Sequence, residues 1–594
     1  MGAERKRTEM KVLWRYIRPH VPAVLLGLFI KLLASVVELF IPTALARIVD
    51  EAKGPEDTPK VLFWGGVMLL CAVGALLGNV IANRYSAVTA GRVTRRLRRD
   101  LFDKTLSLSA KQVDEVTVSS LISRLTSDTY VVNNFLIRIQ RIGVRAPILL
   151  LGGIAITLSM NPFMTLVLVA LLPFIALFTY LITKRGVPMY RRQQEVLDEV
   201  VRTVQENASG VRVVKALSKT EYESRRFDGK SRELSETEER AACTMGLSGP
   251  VNSFILNLGL CGVLVVGGYL LNGGNATAGT ILAFLNYFTL ILTAMTAITR
   301  VFVMTSRGMA SAGRVASILT MPSDLDVLPE EETEETEEAE ETERVAEDEV
   351  PRIAFQNVSF SYNGVRQDLS QVSFEIFRGQ TLGIIGATGA GKTTLISLLM
   401  RFYDVGEGKI LIDGKDVRRI PKGELYRKFG VALQNDFLRM GSVKDNLDFD
   451  RGLSEEELHA AAVTACAEEF ILGKEDGMEH MLTLGGANLS GGQRQRLFVG
   501  RAVAARPDIL ILDDSSSALD YKTESRMRAN LAEYMAGVTR VVVAQRVSAI
   551  RHADRILLLE EGRVVADGTH EELMASSDIY REIAMTQMGG DFDA

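Results

Sequence analysis

Three stretches of this sequence contain no Asp, Glu, Lys or Arg: residues 61–83, 146–183 and 241–299. Their length is the main constraint on the fold. A helix needs about 20 apolar residues to cross the hydrocarbon core of a bilayer, and in lipid every backbone polar group must be satisfied within the element itself. The two longer stretches each hold enough residues for two crossings. Each also carries a turn, Asn161-Pro162 in one and Asn272-Gly273-Gly274-Asn275 in the other. A further apolar segment over 21–46 is interrupted by Lys31 and Glu38 alone. These runs predict six membrane helices, over about 21–46, 61–83, 143–160, 163–184, 247–271 and 278–305.

The distribution of basic residues orients them. The outer connection 50–60 carries Lys53 and Lys60 against four acids, and the other two outer turns carry no basic residue. The inner segments are rich in Arg, as at Arg92, Arg95, Arg96, Arg98 and Arg99. Both termini are therefore expected in the cytosol. The charged start, MGAERKRTEMK, reads as a cytosolic lead-in rather than a cleavable signal, and a multi-pass protein of a bacterial plasma membrane is expected. The inner connections 84–145 and 185–240 keep helical periodicity and exceed what a turn requires. Each reads as a helical hairpin reaching some 35–40 Å into the cytosol.

Polar residues inside the spans face protein or water. Glu38 is a candidate contact for a polar or cationic substrate, and the plainer reading is a structural ion pair or a cavity wall. Asn252, Asn257 and Asn286 are candidates of the same kind, with interhelical hydrogen bonds as their plainer reading. The net charge of -5 gives no sign of a nucleic-acid binder. Cys71, Cys243, Cys261 and Cys466 form no CxxC pair and are expected as buried, reduced thiols. The run EEETEETEEAEETERVAEDE is too acidic to collapse and reads as a solvated linker. Three segments follow: a membrane domain over 1–320, the acidic linker over 321–350 and a second domain over 351–594.

That second domain opens with alternating strand-like sequence and then presents Gly386-Ala-Thr-Gly-Ala-Gly391-Lys392-Thr393 between the apolar strand Thr381–Ile385 and a helical segment. This is a complete phosphate-binding loop. Backbone amides across Gly386, Thr388, Gly389, Ala390, Gly391, Lys392, Thr393 and Thr394 suit a nucleotide's phosphates. Lys392 supplies a point charge, and the Thr393 hydroxyl suits magnesium. A second apolar strand, Ile509-Leu-Ile-Leu512, delivers Asp513 toward the same metal.

Between these motifs stands Leu489-Ser490-Gly491-Gly492-Gln493. Here the sequence resembles the ATP-binding-cassette (ABC) family, and the six-helix lead-in resembles its exporters. The resemblance covers nearly the whole chain. It implies a six-helix, all-α transmembrane domain with long cytosolic helical extensions, followed by an α/β cassette that binds ATP and Mg2+. It also implies two cassettes that sandwich two ATP molecules head to tail. The signature residues Ser490, Gly491, Gly492 and Gln493 then cap the nucleotide held by the other cassette. By the same resemblance Tyr362 stacks on adenine, Gln434 touches magnesium and the attacking water, and Asp520 ends a loop that communicates across the dimer. The stretch from Glu206 through Phe227 is similar to the second inner loop of these exporters.

Two positions depart from the family pattern. Asp514 stands where the family's catalytic base is Glu, one methylene longer, and a misplacement of about 1 Å costs about a hundredfold in rate. Gln545 stands where the family has a switch histidine. It donates a hydrogen bond but carries no titrating proton. A softer departure lies at Thr483-Leu-Gly485-Gly486-Ala-Asn488, where an expected acidic residue is missing. The expectation is a chain whose own site binds ATP and hydrolyses it slowly. Its intact signature would complete a faster site on a second, different half-transporter chain, and the pair would export hydrophobic or amphipathic compounds, with drugs, lipids and hydrophobic peptides all open. A homodimer with two slow sites and a non-transporting, ATP-gated membrane regulator remain the alternatives.

Overall fold

The computed structural model describes residues 11–52, 55–322, 325, 327–328, 350–434 and 436–588. The acidic run of the linker lies outside the described residues. Two compact units result, one within Met1–Leu106 and Val118–Met321, the other within Ser107–Thr117 and Pro322–Ala594.

The first unit is all helix. Its long members are α1 (Val21–Glu51), α2 (Thr58–Leu106), α4 (Thr129–Met160), α5 (Pro162–Ala216), α6 (Thr220–Gly246), α7 (Ser248–Asn272) and α8 (Ala278–Leu319); the short α3 (Ala110–Val116) belongs to the second unit. Among the described residues, six helical stretches are long and apolar enough to cross a membrane, and each expected span falls inside one of them. The spans end where charge begins, but the helices do not, because charged residues with good helix propensity continue them. Asn161 closes one outer turn by capping α5, its Oδ1 accepting from the amides of Phe163 and Met164 at 3.1 and 3.2 Å.

The second hairpin, α5 against α6, has little apolar surface to bury and is laced instead by charge. Arg192 pairs with Glu233 at 3.0 Å, Lys230 with Glu199 at 2.5 Å and Arg226 with Glu206 at 3.0 Å. All four thiols are free, as expected, but the expected burial holds for Cys466 alone: Cys71 is half-buried and Cys243 and Cys261 are exposed. They lie on helix faces that this single chain leaves uncovered.

The second unit is α/β. A four-stranded antiparallel sheet is built from β1 (Ile353–Phe360), β2 (Leu369–Ile376), β4 (Glu407–Ile412) and β5 (Lys415–Asp416), in the order β2-β1-β4-β5. A six-stranded sheet holds β3 (Thr381–Gly386), β6 (Phe429–Ala432), β7 (Ile509–Asp513), β8 (Thr539–Val543), β9 (Arg555–Glu560) and β10 (Arg563–Gly568), in the order β10-β9-β3-β8-β7-β6. Its central pairs are parallel. Parallel strands buried on both faces read as continuous apolar runs, as in β7, where every residue is buried. Nucleotide sites in such sheets form beyond the carboxyl ends of the strands.

Candidate functional site

The carboxyl ends of β3, β6, β7 and β8 meet at one cleft of about 240 Å³. It is lined by Thr388, Gly389, Gly391, Lys392, Thr393 and Thr394, with Gln434, Asp513, Asp514 and Gln545 across from them. The loop's turn depends on Gly391, at φ 102°, where a Cβ would lie 2.7 Å from Leu369 Cδ2 and 3.0 Å from the Asp368 carbonyl. The helix α9 (Lys392–Leu399) starts there and aims its free amides into the cleft. Lys392 folds back over its own loop, Nζ donating to the carbonyls of Gly386 at 2.7 Å and Ala387 at 2.9 Å. Burial lowers its pKa, against the opposing pull of Asp513 and Asp514.

Asp513 ends β7 and is 2% exposed. Burial raises its pKa, and the neighbouring Asp514 adds to the shift, while Lys392 and a hydrogen bond with Thr393 oppose it. Its Oδ2 is buried and has no hydrogen-bond partner among the described residues. An orphaned carboxylate oxygen, a threonine hydroxyl and a glutamine amide at one cleft are a hard-oxygen set. That set fits Mg2+, which binds through one or two carboxylates and substrate phosphates and keeps several waters.

Asp514 follows with its backbone in the left-handed region, φ 51°, which a non-glycine residue keeps only when its surroundings hold it there. Two amides hold the side chain. Gln545 Nε2 donates to Oδ2 at 3.1 Å and Gln434 Nε2 to the same oxygen at 3.5 Å. Desolvation raises its pKa, opposed by Lys392 and Arg546. The two departures, Asp514 and Gln545, thus form one contact group with Gln434.

Other expected residues lie outside this cleft. Ser490, exposed, caps α10 (Gly491–Ala504) through a reciprocal box: the Gln493 amide donates to Ser490 Oγ at 3.2 Å and the Ser490 amide to Gln493 Oε1 at 3.0 Å. The cap presents the exposed Gly491 at the free end of a long helix. Asp520 caps α11 (Tyr521–Tyr534), accepting from the Thr523 amide at 3.0 Å. Tyr362 is half exposed and packs edge-on against Phe360 and Tyr403, at 4.9 and 5.0 Å. Tyr403 Oη donates to Asp114 of α3 at 2.5 Å.

Sequence reasoning missed Gln495. Its Nε2 donates to the Asp514 carbonyl at 3.2 Å and to Ser517 Oγ at 2.9 Å, and its Oε1 accepts from the Ala518 amide at 2.9 Å. It bridges the signature helix to the strand end that carries Asp514. Its place one turn into that helix, on the face of Gly491 and Gly492, was the available signal. In the membrane unit Glu38 does not pair with Lys31, despite sharing its helix face. It accepts two hydrogen bonds from Arg145, Nη2 to Oε1 at 2.6 Å and Nε to Oε2 at 3.2 Å. Lys31 donates to Asn79 and Asn83 instead. Asn257 and Asn286 bond to carbonyls of their own helices.

Residues 24–295 match the family described as ABC transporter transmembrane region, and 369–517 match the ABC transporter family. The chain is 33% identical over 576 residues to an uncharacterized ABC transporter ATP-binding protein, YfiB, of Bacillus subtilis, covering 97% of this chain and 98% of that one. It is 32% identical over 590 residues to another, Rv1273c, of Mycobacterium tuberculosis, covering 97% and 98%. A solved bacterial Atm1-family ABC exporter with ATP bound shares the fold, with TM-score 0.79, 22% identity and coverage of 96% and 98%. The chain belongs to the ABC transporter family: it is a half-transporter of exporter fold, with a transmembrane region and one ATP-binding cassette on a single polypeptide.

Proposed function

We propose that this chain is the slow-site half of a heterodimeric exporter that moves hydrophobic or amphipathic compounds across the plasma membrane by alternating access, both termini in the cytosol. The carrying observation is the clamp on Asp514: a short carboxylate, held by the amides of Gln545 and Gln434, stands where the attacking water must be oriented. The phosphate loop and Lys392 bind the nucleotide's phosphates, and Tyr362 stacks on its adenine. Thr393, Asp513 and Gln434 hold magnesium, which when bound neutralises phosphate charge. Asp514 then accepts the water's proton from too far back, and Gln545 has no titrating proton to move. Binding closes the cassettes, and this site reopens slowly.

The signature end of α10, with Ser490 and Gly491 exposed and outside this chain's own cleft, suits a nucleotide held by another cassette. The partner supplies its own Glu and His, so hydrolysis runs mainly there. The test is ATPase activity of the purified chain alone and co-expressed with its partner. Slow turnover alone and fast turnover together is the expected result. Fast turnover by this chain alone overturns the reading.

A further inference from the structure

The spans of this chain carry charge of nearly one sign. Across the six expected spans, Glu38 is the one carboxylate against four cations, Lys31, Arg145, Lys184 and Arg300. That carboxylate is already engaged by Arg145, in a pair with side chains 41% and 18% exposed for Arg145 and Glu38. Measured from the outer ends of their expected spans, at 46 and 160, Glu38 and Arg145 lie about 12 and about 22 Å into a hydrocarbon core about 30 Å thick. Because Arg145 is turned onto Glu38, it is not reaching for headgroups. An ion pair left open at that depth faces water, not lipid.

What surrounds the pair is amphipathic. Outward on the same two helices runs a groove of about 390 Å³, between Val36, Leu39 and Phe40 of α1 and Ile148, Leu151 and Ala155 of α4, with a wholly apolar wall. Inward lie two more cations that share Asn83. Lys31 Nζ donates to Asn79 Oδ1 at 2.6 Å and Asn83 Oδ1 at 3.3 Å, and Arg141 Nη2 donates to the Asn83 carbonyl at 2.9 Å. Arg141 Nε is buried and has no hydrogen-bond partner among the described residues. Arg141 and Arg145, four residues apart, share a helix face. Three cations around one occupied carboxylate leave positive charge in excess at the inner end of an apolar groove.

We propose that this groove and cluster take a transported amphiphile with an anionic headgroup, its tail between α1 and α4 and its phosphate or carboxylate at Arg141 and Arg145. The inference rests on the exporter reading above and narrows its substrate class. Guanidinium groups recognise oxyanions through charge-assisted hydrogen bonds, whereas an ammonium headgroup would meet three like charges with no carboxylate free. Glu38 is thereby the counter-ion of Arg145 and not a receptor for cationic compounds.

The test uses the full chain with its partner in nanodiscs of zwitterionic lipid. A dodecyl phosphate with a diazirine in its tail is photolysed and the adduct mapped. Labelling is expected at Val36–Phe40 and Ile148–Ile156, competed by dodecyl phosphate and not by dodecyltrimethylammonium. Arg141→Gln is expected to weaken competition by dodecyl phosphate at least about tenfold, and Arg141→Lys to weaken it less. Ala155→Trp, at an exposed position that fills the groove without crowding a core, is expected to abolish labelling. Inside-out vesicles should then accumulate the phosphate in an ATP-dependent way. Equal competition by the ammonium compound, or labelling elsewhere, overturns the inference. Labelling without accumulation makes the ligand a bound lipid and overturns the substrate assignment. Accumulation of the ammonium compound and not the phosphate sinks the inference while leaving the exporter reading intact. No ATP-driven accumulation of either, with ATPase coupling also absent, sinks both.

Discussion

Restoring the missing methylene at position 514 should accelerate this chain's own site. In Asp514→Glu the carboxylate advances by about one carbon–carbon bond, some 1.5 Å, along a direction set by the β7 strand end. A misplacement of about 1 Å costs about a hundredfold, so a gain of 10- to 100-fold is expected, about 1.4–2.7 kcal/mol of barrier. The two amide contacts temper it. Gln545 holds Oδ2 at 3.1 Å, an ordinary hydrogen bond, and Gln434 at 3.5 Å, the limit of one. Gln545 therefore governs where the longer side chain settles. Gln545→His should add to the gain, and the two changes should not multiply simply, because both act through one carboxylate. The assay is single-turnover hydrolysis by the heterodimer with the partner's own base replaced by Gln, so that only this site reports. Nucleotide binding is measured in parallel. A rate within twofold of the parent in Asp514→Glu, with ATP affinity unchanged, refutes the explanation of slow hydrolysis by carboxylate reach.

Gly391→Ala should lower ATP affinity about tenfold or more in equilibrium binding. Its φ of 102° and a Cβ 3.0 Å from the Asp368 carbonyl leave backbone rather than a flexible side chain to give way. In the cassette, burial pushes Asp413 up, but the hydrogen bonds and charges of Arg352 and Lys428 outweigh it and hold the carboxyl below its usual range. Its stabilisation is therefore present above about pH 4 and is lost as pH falls through the lower folded value. Asp413→Asn should cost about 2 kcal/mol rather than more, because Arg352 keeps Asp508 at 3.0 Å; faster hydrogen exchange in Ile353–Phe360 reads it out. Glu38→Gln should cost about 1–2 kcal/mol in thermal unfolding of the detergent-solubilised chain, a modest figure because Arg145 is 41% exposed. Adding Arg145→Gln should recover most of that loss.

The phosphate loop, Asp513 and the signature could be read from the chain because each is a short run whose spacing answers directly to phosphate or magnesium. The six spans could be read because lipid tolerates little charge. Their helices could not be delimited that way: α2 runs on to Leu106, well past the last uncharged residue of its span, since helix propensity and lipid solubility are different properties. Long-range pairing was out of reach. Lys31 and Glu38 look like partners on one helix, but Arg145, 107 positions further on, carries a guanidinium fork that matches a carboxylate and takes Glu38. Lys31 is left to amide oxygens. The residue types at 514 and 545 were plain in the sequence, but their mutual contact depends on the parallel pairing of β7 with β8, which sets Asp513 beside Val543.

That pairing bears on why an altered base and an intact signature occur in one cassette. Gln495 ties them. Its amide donates to the backbone of Asp514 and to Ser517, and accepts from Ala518, while its helix begins at the Ser490 cap. In the heterodimer proposed above, a nucleotide on the partner presses on the start of α10, and the same rigid helix carries Gln495 one turn away. The strand end bearing Asp514 therefore feels whether the partner's site is filled. A fast base at position 514 would empty this site on its own schedule. The slow one of the proposal would keep ATP in place through several partner turnovers, so that the state reported through Gln495 would be that of the partner. Under the slow-site proposal, the altered residue at 514 and the intact signature would then be two parts of one arrangement, in which this cassette holds the dimer together and the other sets its pace.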